Sequence, residues 1–362
     1  MKKILLLAYL LVQSTYLFAA AYTPKSGDEI IAQWVAQKKP VLQNLQTASH
    51  LTPDDPSAIM ALANTYLAQA AQPGQSRLYG LAQAALKPLI DKNIDDKNVW
   101  LAWAQVQQHQ HNFIIAQQAL GKVLQQDPVN ENANLLSARI YIIQDNPIAA
   151  RNACLKLLGS ADLLTVTACS LEVNALLHPN ELQNSYQQLA NIVNRQGLPD
   201  DARASWLIQL LADLASRNND NESASYWLEK KLQSASVNYL AQWADVQLSL
   251  NQPNKVLDYL ALIVKNTPNI DDALLLRLAL AEKTLGQNNQ WQTQIAERVN
   301  LREQRQDKLH ASDLAIYYLE IKPDSKHALY WANINISNTR EYNDKKLLAR
   351  AEKANQPTKG IQ

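Results

Sequence analysis

Residues 98–128 read NVWLAWAQVQQHQHNFIIAQQALGKVLQQDP, and their spacing decides the fold. Trp100, Trp103 and Ala104 fall on one side of a helix, as do Ala116, Leu120 and Val123 on a second, and Pro128 closes the stretch. Apolar positions three and four apart are the mark of an amphipathic helix. The two small residues, Ala104 and Ala116, are twelve apart, and the same pair returns 34 residues later as Ala138 and Ala150. Ala212 with Ala224 repeats the spacing, and Ala244 with Val256 nearly does. Large apolar residues stand four and seven places after the second small one, as in Leu120 and Val123 or Leu260 and Ile263, and Pro268 matches Pro128. A recurring small pair lets two helices of a hairpin cross closely, because larger side chains there would push the backbones apart. A fixed period of this length is the signature of a helical repeat array.

The pattern extends outward in weaker form. Ala63, Tyr66, Ala82, Leu86 and Leu89 make a first unit, with about seven extra residues around Pro73 and Gly74 lengthening its internal turn. Residues 163–197 form a stretched fourth unit, 201–233 a fifth, 271–299 a seventh and 312–354 a terminal pair, while 27–46 suit a capping helix. Pro147 opens a second helix, a position that tolerates proline. Among 362 residues there are only 8 Gly and 2 Phe, and the alternation of a half-buried strand is sustained nowhere. The expectation is an all-α chain: leader 1–21, capping helix 22–52, helical solenoid 53–355 and disordered tail 356–362.

These residues resemble the tetratricopeptide repeat, which asks for a large residue at position 4, apolar at 7, small at 8, aromatic at 11, small at 20, apolar at 24 and 27, and proline at 32. Trp100, Trp103, Ala104, Ala116, Leu120, Val123 and Pro128 fill it almost completely. Ala138, Tyr141, Ala150, Cys154 and Leu157 fill most of the next unit, and Leu240, Trp243, Ala244, Val256, Leu260, Ile263 and Pro268 a later one. The resemblance implies a right-handed α-solenoid of about seven to eight hairpins. From Trp206 onward, the segments 274–281, 309–315 and 328–333 look like a group of periplasmic tetratricopeptide proteins of proteobacteria with no established activity.

Export is also the reading of the N-terminus. Lys2 and Lys3 precede an apolar run from Ile4 to Val12, and small residues at Ala19 and Ala21 fit cleavage before Tyr22. That is the layout of a secretory signal peptide, the alternative being an uncleaved anchor shorter than a comfortable span. Removing the leader leaves 32 basic residues against 33 acidic. A balance this even carries no electrostatic footprint for nucleic acid. The two cysteines, Cys154 and Cys169, fall about two turns either side of a hinge near Ser160 on antiparallel helices. In an oxidising compartment they are expected to pair, the alternative being two small core residues.

Chemistry is harder to find. No phosphate-binding glycine loop, zinc-protease helix motif or nucleophile elbow occurs, so neither an enzyme nor a cofactor is expected. His109 and His111 would point about 200° apart on a helix, and they sit where a turn belongs, without a third ligand in view. What the resemblance does imply is a concave face lined by first helices, with positions 2, 5, 9, 12 and 13 pointing into it. Register places Asn98, Leu101, Gln105, Gln108 and His109 there in the second unit, and Asn132, Leu135, Arg139, Ile142 and Ile143 in the third. The fifth unit offers Trp206, Gln209, Asp213, Ser216 and Arg217, and the sixth Asn238, Ala241, Asp245, Leu248 and Ser249. Asn and Gln bond both peptide N–H and C=O groups, so the amide-rich face suits an extended peptide or protein segment of the cell envelope. The same chemistry suits glycans, and Trp206 could anchor one; a polysaccharide-handling scaffold beside an exopolysaccharide exporter is the alternative.

Overall fold

The computed structural model describes residues 55–356 apart from 266, 268, 287 and 288. The expected leader, its cleavage site, the capping helix at 22–52, the tail from 357 onward and Pro268 lie outside those residues. Among the described residues there are seventeen α-helices and no strand. The first four hairpins are α1 (Pro56–Ala70) with α2 (Arg77–Asp91), α3 (Lys97–His109) with α4 (Phe113–Gln126), α5 (Glu131–Ile143) with α6 (Pro147–Leu155), and α7 (Leu163–Leu177) with α8 (Leu182–Gln196). Then come α9 (Arg203–Arg217) with α10 (Asn221–Leu228), α11 (Val237–Ser249) with α12 (Pro253–Lys265), and α13 (Asp272–Leu285) with α14 (Gln290–Gln304). Last are α15 (Ala311–Ile316), which widens into a π-helical turn at Tyr317–Ile321, α16 (Ser325–Asn338) and α17 (Tyr342–Asn355). The stretch 312–354, expected as a pair, is therefore three helices: an eighth hairpin and a closing helix.

Local chemistry explains where the helices start and turn. Short polar side chains cap them: Asp96 accepts from the Asn98 N–H, Asn130 from Ala133, Asn146 from Ala149, Asp162 from Thr165 and Asp220 from Ser223. Each such bond satisfies a donor that the first helical turn leaves without a partner. Within the hairpins, His111, Asp145, Asn219 and Asn251 all have positive φ, between 57° and 62°. They stand at the same place in each unit, seven residues after the small residue of the first helix. Asn, Asp and His tolerate this left-handed conformation best among residues with a Cβ. The next residue closes each turn by donating five residues back, as Asn112 N–H does to Gln107 O and Gln252 N–H to Gln247 O.

The crossing positions behave as the spacing requires. Ala63 and Ala82, Ala104 and Ala116, Ala138 and Ala150, Ala212 and Ala224, and Ala244 and Val256 are all buried, none more than 2% exposed. Trp100, Trp103 and Trp243 are core residues, while Ile263 is half-buried and its neighbour Val264 takes the buried place. The core is divided into four clusters strung along the chain rather than gathered at one centre. That is the quasi-linear construction of a repeat protein, in which each unit buries its apolar face on its neighbours. First helices touch first helices in an unbroken row from α1 to α15, whereas second helices pack mainly on first helices, their own partner and that of the next unit. The row of first helices is thus the tighter, inner layer.

The described solenoid turns far enough to meet itself. The Arg340 N–H donates to Ile143 O at 2.7 Å, and the Gly74 N–H donates to Asp271 Oδ2 at 2.6 Å. Both contacts join residues 197 positions apart. The long first turn adds two more bonds, Val237 N–H to Ala71 O at 2.9 Å and Gln72 Nε2 to Ser234 O at 3.4 Å. Gly74 is held at φ +75°, and a Cβ there would collide with the Thr267 methyl and lie 2.9 Å from Asn269 O. Between the two contact points lies an open cleft of about 510 Å³, lined by Gln110, His111, Asn112, Gln306, Asp307 and Asn338 among others. Early hairpin turns therefore abut late ones along a seam, and the insertion around Pro73 and Gly74 forms part of it.

Candidate functional site

The inner layer carries a ladder of charge. Arg139 on α5 approaches Glu172 on α7 at 3.6 Å and Glu341, at the start of α17, at 2.8 Å. Asp213 pairs with Arg217 along α9 at 3.4 Å. Asp245 on α11 takes a two-pronged bond from Arg277 on α13, at 2.9 and 2.8 Å, and Arg277 also reaches Asp313 on α15 at 2.8 Å. A planar guanidinium suits this forked geometry, which a lysine could not reproduce. An amide step fills the gap: Gln209 Nε2 donates to Gln242 Oε1 at 3.2 Å, and Gln242 Nε2 returns to Gln209 O at 3.0 Å. The Arg139–Glu172, Gln209–Gln242, Arg277–Asp245 and Arg277–Asp313 rungs join consecutive first helices, Asp213–Arg217 lies within α9, and Arg139–Glu341 crosses to the start of α17.

Enclosure by the seam raises the electrostatic stakes. Burial pushes the Glu172 carboxyl up to about 7, with Arg139 opposing and Asp213 and Glu341 adding repulsion. Asp213 and Glu341 are raised by burial as well. Three carboxylates share two arginines here, and taking up a proton relieves the excess of negative charge. The Arg139 side chain nevertheless keeps 44% of its surface open, so it lines the interior without being sealed in.

The positions expected to face the groove divide into three groups. Asn98, Gln105, Asn132 and Asn238 are exposed, and their side-chain amides make no hydrogen bond among the described residues. Gln108 is half-buried on the same layer. Arg139, Asp213, Asp245 and Gln209 are rungs of the ladder. Leu101, Leu135 and Trp206 are packing residues: Leu101 lies against the core of the first units, Leu135 against that of the third, and Trp206 half-buried between the third and fifth. Ile142, Ile143 and Ala241 are buried. Glu172, Arg277, Asp313, Glu341 and Tyr342 belong to this face and escaped the register count. The stretched fourth unit and the two units after the sixth lack the small pair that sets the register.

Cys154 on α6 and Cys169 on α7 are joined by a disulfide, with Cα atoms 5.6 Å apart, and both are buried. The bond and the core role coincide. His109 ends α3 and His111 stands in the turn that follows, both half-buried. His109 stacks on Tyr79 with ring centres 3.4 Å apart, and burial lowers its pKa to about 4. His111 lies over Phe113 at 5.4 Å. Among the described residues no group of three or more His, Cys, Asp or Glu is arranged to hold a metal. No described helix is long and apolar enough to cross a membrane.

Small-residue crossings, left-handed turn residues and an inner row of first helices define a tetratricopeptide-like α-solenoid. Solved structures of the same kind lie at a distance. A tetratricopeptide repeat protein from Parabacteroides merdae ATCC 43184 shares 13% identity at a TM-score of 0.48, covering 66% of this chain and 90% of its own. The TPR domain of P58(IPK) shares 14% at 0.22, covering 86% of this chain and 92% of its own. The structure of Naa15/Naa10 bound to HypK-THB shares 13% at 0.31, covering 86% of this chain and 48% of its own. No protein-family model and no curated protein matches the chain.

Proposed function

We propose that this chain is a non-catalytic scaffold of the cell envelope that holds a protein or peptide segment along its inner face. The observation that carries this reading is the set of exposed, unengaged amides on the first helices: Asn98 and Gln105 in the second unit, Asn132 in the third and Asn238 in the sixth. Such amides offer paired donors and acceptors to an extended backbone, and loading them costs the fold nothing because no internal bond must break. The periplasm, or the exterior, is the proposed compartment. The leader pattern of residues 1–21 supports it, and so does a disulfide, which persists where thiols are not kept reduced. Assembly or stabilisation of an envelope complex is the corresponding role. The polysaccharide reading is the weaker one, since a sugar needs stacking platforms and Trp206 is held between two core clusters.

Photo-crosslinking in intact cells tests the proposal. A photo-reactive residue at Gln105 or Asn238 is expected to capture one envelope protein in common, while the same residue at the exposed Lys87 on α2 does not. Capture of that protein from Lys87 alone would sink the inner-face assignment.

A further inference from the structure

Part of the inner face is already occupied by the chain itself. At the start of α17, its N-cap Glu341 lies on Arg139 at 2.8 Å and the ring of its first residue, Tyr342, beneath the Arg217 guanidinium at 5.4 Å. The Arg340 N–H donates to Ile143 O, and Lys345 pairs with Asp145 at 2.7 Å. We propose that the site around Arg139 and Arg217 recognises a segment presenting a carboxylate followed by an aromatic ring, for which Glu341-Tyr342 is an internal stand-in that a partner segment displaces. This deepens the inner-face reading and rests on it.

Three features make the occupant exchangeable. The ion pairs of the latch are open to water: Arg139 and Glu341 keep 44% and 33% of their side-chain surface, Lys345 and Asp145 52% and 48%. Pairs this exposed hold weakly. The body of α17 is anchored elsewhere, by buried Leu347 and Ala351 among the last core cluster, so the turn can lift together with the Glu341–Asp344 capping box that starts α17 while the rest of the helix stays docked. Charge also favours replacement in kind. With Glu341 gone, Arg139 keeps only the 3.6 Å approach to Glu172, and Arg217 keeps Asp213 but loses its aromatic partner. An acidic-aromatic segment restores both contacts. A basic one would meet two arginines.

Hydrogen exchange on the full-length protein tests this, the probe being a synthetic peptide with the sequence of residues 339–345 and a control in which its Glu and Tyr are replaced by Lys and Ala. The peptide, and not the control, is expected to accelerate exchange at the Arg340 amide. A Glu341→Ala/Tyr342→Ala variant is expected to bind the peptide about tenfold more tightly than the wild type, as removal of a closed state requires, and an added Arg139→Ala change should abolish the gain. No acceleration at millimolar peptide overturns the proposal, whether or not the double variant folds. So does a folded double variant that binds no better than the wild type. Acceleration that instead tracks dimer formation without peptide would give the site to a second copy of the chain, and equally overturns it. Crosslinking from Gln105 is independent of Arg139, so a negative peptide result beside a positive crosslink fails this inference alone.

Discussion

Replacing Arg277 by leucine interrogates the ladder at its tightest rung. The guanidinium is only 9% exposed and makes four hydrogen bonds: two to Asp245, one to Asp313 and one to Ala273 O at 3.2 Å. Leucine keeps the helix and much of the stem's packing but leaves the two carboxylates without a cation. Their environments differ. Asp245 is 48% exposed and regains water, so its arm contributes within the 0.2–1 kcal/mol of a surface pair. Asp313 is 15% exposed and stays largely desolvated, which moves its arm toward the 3–5 kcal/mol seen when one partner of a buried pair is removed. The sum is about 3 kcal/mol of destabilisation, concentrated at the junction of α11, α13 and α15. Chemical denaturation together with amide exchange in α13 and α15 measures it. Arg277→Leu/Asp313→Asn should recover more than about 1 kcal/mol, because no buried charge then remains unpaired. If the double variant is no more stable than Arg277→Leu, the cost does not arise from a stranded carboxylate and the ladder is not electrostatic in origin.

Other perturbations follow from the same geometry. Gly74→Ala should destabilise by about 2 kcal/mol or more, adding a strained left-handed alanine to a clash with Thr267, and protection of residues 71–76 and 234–237 from exchange should fall together. Reducing the Cys154–Cys169 bond opens a loop of 15 residues, for which the chain-entropy relation gives about 3 kcal/mol; a denaturation midpoint unchanged by reductant would refute this. Glu172→Gln probes the enclosed charge. A carboxyl raised to about 7 contributes stability in full below pH 4.5, and that contribution is lost as pH rises through 7. The variant should therefore gain on the wild type by on the order of 3 kcal/mol between pH 4.5 and pH 8, read from melts across that range. His109 and His111, lowered by burial, pull the other way in both proteins and cancel in the difference.

The hairpins were legible because their determinants are local. A small pair twelve apart, a polar residue able to sit at positive φ between them, and a cap before each helix specify a unit with no reference to the rest of the chain. Cys154 and Cys169 were legible for the same reason, as neighbours across one short turn. The seam was not, because it depends on small rotations accumulated over five or six units, and no single residue encodes their sum. Arg139 shows the difference. Its place on α5 is set by the local spacing, but its partner Glu341 lies 202 positions away in a stretch whose own register was lost. Asn98, Gln105, Asn132 and Asn238 are exposed and unengaged, while Trp206 packs between two core clusters.

Contact between turns of the coil changes the mechanics of the molecule. A string of hairpins that touch only their neighbours extends under load like a soft spring and frays from its ends. Bonds at an offset of 197 residues tie each turn of this spring to the next. Pulled along its axis, the molecule would stay stiff until the bonds at Gly74 and Arg340 gave way, and only then lengthen unit by unit. Two small loops, at 71–76 and 339–341, thus set the force at which the described coil opens.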